Sequence, residues 1–203
     1  MKRLVCMLAV LAVVFGASLA AGAVSVEGDA SYLMGFGDNK GQGFAAHAKV
    51  ELMAEVFADA GFSYVTFGEE RTETLLTLGG LYRVASEEDL QIFIGGGYAM
   101  LTLTEKGAAA EENGDGEKGN GIFGKFGFTL IPGPKMTLVA DVGYAPRFKL
   151  NGADDRVSLI TARATLSYEV MENIAVQGTV KHYRAGKDIQ SGVLIGGGVA
   201  ISF

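Results

Sequence analysis

The chain has 203 residues, of which 30 are glycine, 3 are proline and none is tryptophan, and 49% are apolar. This composition is too apolar for a disordered chain and too rich in glycine for a helical protein. The formal net charge of −6 argues against a nucleic-acid partner, because phosphate backbones favour basic surfaces.

Residues 1–20 have the pattern of a secretory signal peptide. Lys2 and Arg3 form a short positive segment, residues 4–15 are apolar, and small residues follow near position 20. About 12 apolar residues are too few for a spanning helix, which requires roughly 20. We therefore expect export through the general secretory route, with cleavage after residue 20 or possibly 23.

The remaining chain, 21–203, is expected to form a single domain. Cleavage of the signal would remove Cys6, the only cysteine, so no disulfide could stabilise the exported protein. No stretch after the signal approaches 18 consecutive apolar residues, which excludes spanning helices. Stability then has to come from a large core or from contact with lipid.

After the signal, apolar and polar residues alternate with a period of two, which indicates strands with one apolar face. In the second segment, for example, Ala48 and Val50 alternate with His47, Lys49 and Glu51. Ten such segments occur, at 24–36, 44–52, 60–66, 76–84, 90–100, 122–130, 136–144, 160–170, 174–180 and 193–203. Strands of roughly 10–14 residues can cross a tilted bilayer path, so the pattern predicts an all-β, closed antiparallel up-and-down transmembrane barrel.

The connections between these segments are of two kinds. Five longer loops are predicted around 38–43, 68–72, 105–120, 151–156 and 185–190. Four shorter turns are predicted at 53–58, 85–89, 132–135 and 171–173. Long loops on one rim and short turns on the other are typical of bacterial barrels, and an even strand count places both termini on the short-turn rim.

Two positions bear on the strand count. The break at 53–58 is ambiguous, because 53–60 could be strand throughout, and loss of one hairpin would give eight strands instead of ten. Pro146 cannot donate a ladder hydrogen bond, so the seventh strand should end or bulge near it. Because an edge amide cannot remain unpaired in lipid, the first and last strands should pair with each other.

The polar faces carry charges near the middle of the strands. These residues are Lys49, Glu51, Lys125, Asp141, Arg163 and Lys181. A soluble sandwich or barrel would also alternate, but a Lys or Arg turned toward lipid at that depth would cost roughly 2–4 kcal/mol. We therefore expect the six charged residues to line an enclosed interior, while the apolar faces contact outer-membrane lipid.

The last residues carry a second signal. Gly198, Ile201 and Phe203 place an aromatic residue at the end of the chain, an apolar residue two positions earlier and a glycine three before that. This pattern resembles the C-terminal assembly signal of bacterial outer-membrane β-barrels, and the whole 21–203 pattern is similar to OmpA/OmpX-like or OmpW-like barrels. It departs from them in lacking tryptophan and in having Ile201 where an aromatic residue is frequent.

The resemblance implies an outer-membrane location in a diderm bacterium and recognition by the barrel-assembly machinery. Barrel enzymes that act on lipid or protein are a less favoured alternative. His182 is followed by Tyr183 and Arg184, which does not match the His-x-Ser pattern of barrel lipid deacylases, and His47 does not match it either. We expect no enzyme activity, cofactor or metal site.

Two roles remain open for the charged interior. The six charged residues could form ion pairs that fill a narrow barrel, which would give a structural or surface-interaction protein of the cell envelope. Alternatively, the excess of four positive over two negative side chains could line a small porin-like channel for ions or small polar solutes. The solute, any binding partner and the oligomeric state do not follow from the sequence.

Overall fold

The computed structural model describes residues 25–36, 40–68, 71–105, 117–150, 157–186 and 189–203. The predicted signal peptide lies outside the described residues, as do 37–39, 69–70, 106–116, 151–156 and 187–188 within the predicted loops. Within the described part, no helix is long and apolar enough to cross a membrane.

Ten antiparallel strands form a closed barrel, in which each strand pairs with its neighbours in sequence and β1 pairs with β10. The strands are β1 (Val26–Gly35), β2 (Gly41–Met53), β3 (Val56–Phe67), β4 (Arg71–Ser86), β5 (Leu90–Glu105), β6 (Glu117–Gly133), β7 (Met136–Leu150), β8 (Val157–Met171), β9 (Ile174–Ala185) and β10 (Ile189–Ser202). The predicted fold class and the count of ten are confirmed, and the alternative of eight strands is wrong.

The ambiguous break at 53–58 is a tight turn at Ala54 and Glu55 between β2 and β3. Strands β6 and β10 begin inside the segments predicted as loops, because β6 starts at Glu117 and β10 at Ile189. The predicted irregularity at Pro146 is confirmed as a register shift between Ala145 and Phe148, after which β7 continues. We call the rim that carries the four tight turns the turn side, and the opposite rim the loop side.

Two glycines of β10 lie directly against the backbone of β1 where the barrel closes. Ser31 faces Gly198 and Leu33 faces Gly196 in the register of the two strands. A Cβ atom at either glycine would collide with a backbone carbonyl oxygen of β1. Glycine is therefore required at both positions by the approach of the strands.

The outer wall is apolar over the middle of all ten strands. Exposed side chains such as Ile122, Val142 and Val199 point away from the interior. Tyrosine and phenylalanine residues also lie on this wall, and Phe44 contacts both Phe62 and Tyr64, with ring centroids 5.7 and 5.5 Å apart. This surface is far larger than the apolar patches that soluble monomers expose, so a solvent other than water is needed to cover it.

Candidate functional site

The interior of the barrel has three levels between the loop side and the turn side. The loop-side level is a cluster of buried apolar residues, which we call the apolar plug. Its members are Leu33, Ala45, Val65, Phe67, Leu75, Ala99, Leu101, Leu103, Phe123, Ala145, Phe148, Leu150, Leu159, Tyr183, Ala185 and Leu194. None of them is more than 8% exposed, so these side chains fill the loop-side half of the interior.

One polar group is embedded beside the plug. The Arg71 Nε atom lies 2.8 Å from Glu73 Oε1, and the Tyr183 hydroxyl donates a hydrogen bond to Glu73. Arg71 also lies over the ring of Phe67, with its guanidinium carbon 5.1 Å from the ring centroid. The buried carboxylate therefore has both a cation and a hydroxyl partner, which offsets the cost of its burial.

The middle level is a network of ion pairs that we call the ion-pair layer, formed by Asp29, His47, Asp59, Lys125, Asp141 and Arg163. Asp59 is its most buried member, with a side chain that is 1% exposed. Lys125 Nζ donates to both oxygens of Asp59, at 3.0 and 2.9 Å, and His47 Nε2 lies 2.7 Å from Asp59 Oδ1. Three strands, β2, β3 and β6, are therefore joined through one carboxylate.

Arg163 makes the second half of the layer. Its Nε and Nη2 atoms both lie 2.8 Å from Asp141 Oδ2, and its Nη1 atom lies 3.3 Å from Asp29 Oδ2. Gln177 adds a hydrogen bond of 3.3 Å to Asp29 and one of 2.8 Å to Ser31. The layer thus spans the barrel from β1 to β9, with every carboxylate in contact with at least one cationic group.

The structure places all six sequence-predicted charged residues on the inward face, but it divides them into different environments. Lys125, Asp141 and Arg163 belong to the ion-pair layer. Lys49 pairs with Glu27 at 2.9 Å, and Glu51 accepts a hydrogen bond of 3.1 Å from Ser25, both nearer the turn side. Lys181 lies opposite Arg163 on β9, beside a cavity of about 50 Å³, and makes no ion pair with a described residue.

The sequence analysis missed Asp29 and Asp59 as members of the site. Their inclusion corrects the apparent excess of positive charge, because the three cations Lys125, Arg163 and Lys181 now face three aspartates near mid-strand. The alternation of the strands could have found both residues, since Asp59 lies between Ala58 and Ala60 and Asp29 lies between Gly28 and Ala30. Among the described residues, no group of three or more His, Cys, Asp or Glu side chains has an arrangement that could hold a metal ion.

The turn-side level is a cavity of about 500 Å³ that extends from the tight turns to the ion-pair layer. Phe57 and Phe93 pack edge to face along the wall on one side, with centroids 5.4 Å apart. Lys49 Nζ lies 4.6 Å from the centroid of Phe93 and also pairs with Glu27. The cavity is therefore open to solvent at the turns and ends at the charged layer.

The C-terminal residues lie at the turn-side end of the seam between β1 and β10. The backbones of Phe203 and Val26 exchange two hydrogen bonds of 2.9 Å, and the ring of Phe203 is exposed on the outer wall. Ile201 faces Gly28 on β1, and Gly198 faces Ser31. Gly198 and Ile201 thus belong to β10, and Phe203 directly follows it.

No protein-family model and no curated protein matches the chain. Among solved structures, a bacterial polysaccharide outer-membrane secretin is 11% identical with a TM-score of 0.51, over 87% of this chain and 69% of that one. The N-terminal β-barrel domain of OprF from Pseudomonas aeruginosa is 14% identical with a TM-score of 0.38, over 88% and 97%. The COG4313 outer-membrane channel from Pseudomonas putida F1 is 11% identical with a TM-score of 0.46, over 88% and 95%. At these identities the likeness concerns the fold alone.

Proposed function

We propose that the protein is an integral outer-membrane barrel with a structural or surface-interaction role, whose interior is packed and does not conduct. The observation that carries this proposal is the combination of an apolar outer wall with an interior filled by the apolar plug and the ion-pair layer. The apolar outer wall is suited to contact with lipid acyl chains. Backbone groups in that environment must be hydrogen-bonded within the protein, as they are in a closed barrel. The filling of the interior leaves it without a continuous aqueous path along the described strands.

In this proposal the turn side, with both termini, faces the periplasm, and the loop side faces the cell exterior. Tight turns on the periplasmic rim and longer loops outside are the usual arrangement of bacterial barrels. The position of Phe203 at the β1–β10 seam supports a role for the C-terminus in assembly, because closing this seam completes the barrel. We further propose that the barrel-assembly machinery reads this segment.

If the outer wall contacts lipid, a charged residue placed on it should destabilise the barrel more near the middle of a strand than near its end. Val142 lies on the outer wall near the middle of β7, and Val142→Arg should lower the free energy of unfolding in lipid vesicles by roughly 2–4 kcal/mol. Ser158 faces outward at the loop-side end of β8, so Ser158→Arg should cost about 1 kcal/mol or less. Urea titrations followed by the gel mobility of the folded form measure both. Equal costs at the two depths would contradict a lipid-facing wall.

The sealed interior predicts an absence of conductance. Purified protein inserted into a planar bilayer should give no discrete current steps, because the plug residues leave no water-filled path. A porin recorded in the same bilayers checks that insertion and detection work. Reproducible steps from the unaltered protein would reject the structural role and favour the channel. Arg163→Glu should then change the ion selectivity of those steps.

A further inference from the structure

The charges on the outer wall have one sign and one location. Among the described strands, the outward positions carry four charged residues, namely Lys118 on β6, Arg147 and Lys149 on β7, and Arg184 on β9. All four are basic, all four are exposed, and all lie at the loop-side ends of their strands. We call them the basic rim patch. The tight turns on the other rim are mainly acidic, with Glu55, Glu87, Glu88, Asp89 and Glu172 against Lys135.

The register of the strands places the four residues in one sector of the rim, between β6 and β9. Asn120 on β6 faces Lys149 on β7, so Lys118 lies diagonally across from Lys149. On the other side, Ile160 of β8 faces both Tyr144 and Arg184, which places Arg184 two strands from β7. With neighbouring strands about 4.8 Å apart, the basic groups cover a width of roughly 15 Å along the rim.

The bulge at Pro146 is what turns two of these residues outward. Ala145 is buried in the interior, and regular alternation would send Arg147 inward with it. The register shift between Ala145 and Phe148 instead places Phe148 and Leu150 in the plug and exposes Arg147 and Lys149. A bulge changes the direction in which the following side chains point. This one therefore directs Phe148 and Leu150 into the plug and Arg147 and Lys149 to the outer wall.

Three of the four basic side chains of the patch are not neutralised within the described part of the protein. Arg147, Lys149 and Arg184 form no ion pair there, and Arg184 Nε donates only to the carbonyl oxygen of Gly186, at 2.9 Å. Long basic side chains near the end of a membrane span extend their charged ends toward the headgroups, where an outward charge costs little. Among the described strands, no acidic side chain faces outward at this rim, so a lipid headgroup can supply the counter-charge.

We propose that the basic rim patch binds the phosphate groups of an anionic lipid in the leaflet on the loop side. This inference rests on the proposed function, which places that leaflet at the cell exterior. A phosphate accepts several hydrogen bonds, and the guanidinium groups of Arg147 and Arg184 can each donate two in parallel. Basic residues near an anionic surface contribute about a fivefold gain in affinity each, so a phosphorylated lipid is held at this sector of the wall.

The test measures lipid binding to the folded barrel by native mass spectrometry, with diphosphorylated lipid A as the probe and phosphatidylcholine as the neutral reference. The unaltered protein should bind lipid A at least tenfold more tightly than phosphatidylcholine, and added salt should weaken the preference. The combined variant Arg147→Gln, Lys149→Gln and Arg184→Gln should lose the preference. The three single Gln variants, each expected to lose a few-fold, keep the test valid if the combined variant does not fold.

Two control variants separate location from net charge. Arg147→Lys with Lys149→Arg keeps the charge and should keep the preference. Lys135→Gln removes a cation from the turn side, on the opposite rim from the patch, and should also keep the preference. The inference is overturned if the combined Gln variant keeps the preference for lipid A. It is also overturned if the unaltered protein shows no such preference. Heat-modifiable gel mobility and protease resistance in phosphatidylcholine vesicles test insertion separately, and their failure would overturn the proposed function together with this inference.

Discussion

Asp59→Ala should lower the free energy of unfolding by about 3–5 kcal/mol, because it leaves Lys125 and His47 in the interior without their nearest carboxylate. Lys125 would retain only Asp141, at 3.6 Å, since its two shorter hydrogen bonds both go to Asp59. Urea titrations of the protein in lipid vesicles, read by circular dichroism and by gel mobility, measure the loss.

Two comparisons make this prediction specific to the ion-pair layer. Adding Lys125→Met to Asp59→Ala removes the unpaired cation, so the double variant should be more stable than the single one. Glu27→Ala breaks the pair with Lys49 near the turn side, where the Glu27 side chain is 52% exposed and that of Lys49 is 10% exposed. It should cost less than Asp59→Ala, because Lys49 lines the turn-side cavity and keeps the rings of Phe57 and Phe93 as neighbours. If Asp59→Ala costs no more than Glu27→Ala, the layer does not stabilise the barrel.

The architecture could be predicted from the sequence because lipid imposes a simple rule on each strand. Outward residues must be apolar, so alternation such as Val142 and Tyr144 around Gly143 reveals both the strand and its orientation. Closure of the barrel could be predicted for the same reason, because lipid offers no hydrogen-bond partners and the amides of β1 and β10 must pair with each other. Strand ends were predicted less well, because the loop-side ends of β6 and β10 extend beyond the bilayer pattern.

Partners within the ion-pair layer could not be predicted, although the inward direction of its charges could. Which carboxylate meets which cation depends on the stagger between strands that are far apart in sequence. Arg163 and Asp29, for example, are 134 positions apart and meet across the interior. Alternation fixes the face of a residue but not its height in the barrel, so Asp29 and Asp59 could not be matched to Arg163 and Lys125.

The apolar plug was missed for a different physical reason. On the loop-side ends of several strands both faces are apolar, as where Leu101 follows Met100 or Leu33 follows Tyr32. Outward residues there contact lipid and inward residues contact each other, and hydropathy does not distinguish the two environments. Only the six charged residues were predicted to line the interior, so the apolar half on the loop side was not foreseen. Of the two roles that the sequence left open, the plug supports the packed interior that we propose over the channel.

A substitution at Phe148 tests whether the loop-side interior is close-packed. Its side chain is fully buried, and its ring occupies the space above Gly119 and Gly121 of β6, where a Cβ atom would meet it. Phe148→Ala should therefore lower the free energy of unfolding in lipid vesicles by about 3–5 kcal/mol, since the strands around it cannot collapse into the cavity. The same urea titration with gel readout applies.

Phe126 supplies a control of the same residue type on the opposite face, because it lies outward on β6 and is 52% exposed. In a bilayer, acyl chains occupy the space that Phe126→Ala vacates. The variant therefore loses only the free energy of transferring the ring from water to an apolar environment, about 2 kcal/mol. Phe148→Ala should cost clearly more, because a protein interior cannot flow into a void as lipid does. If the outward substitution proves the more costly of the two, the loop-side interior is not a close-packed core, and the argument for a sealed barrel fails with it.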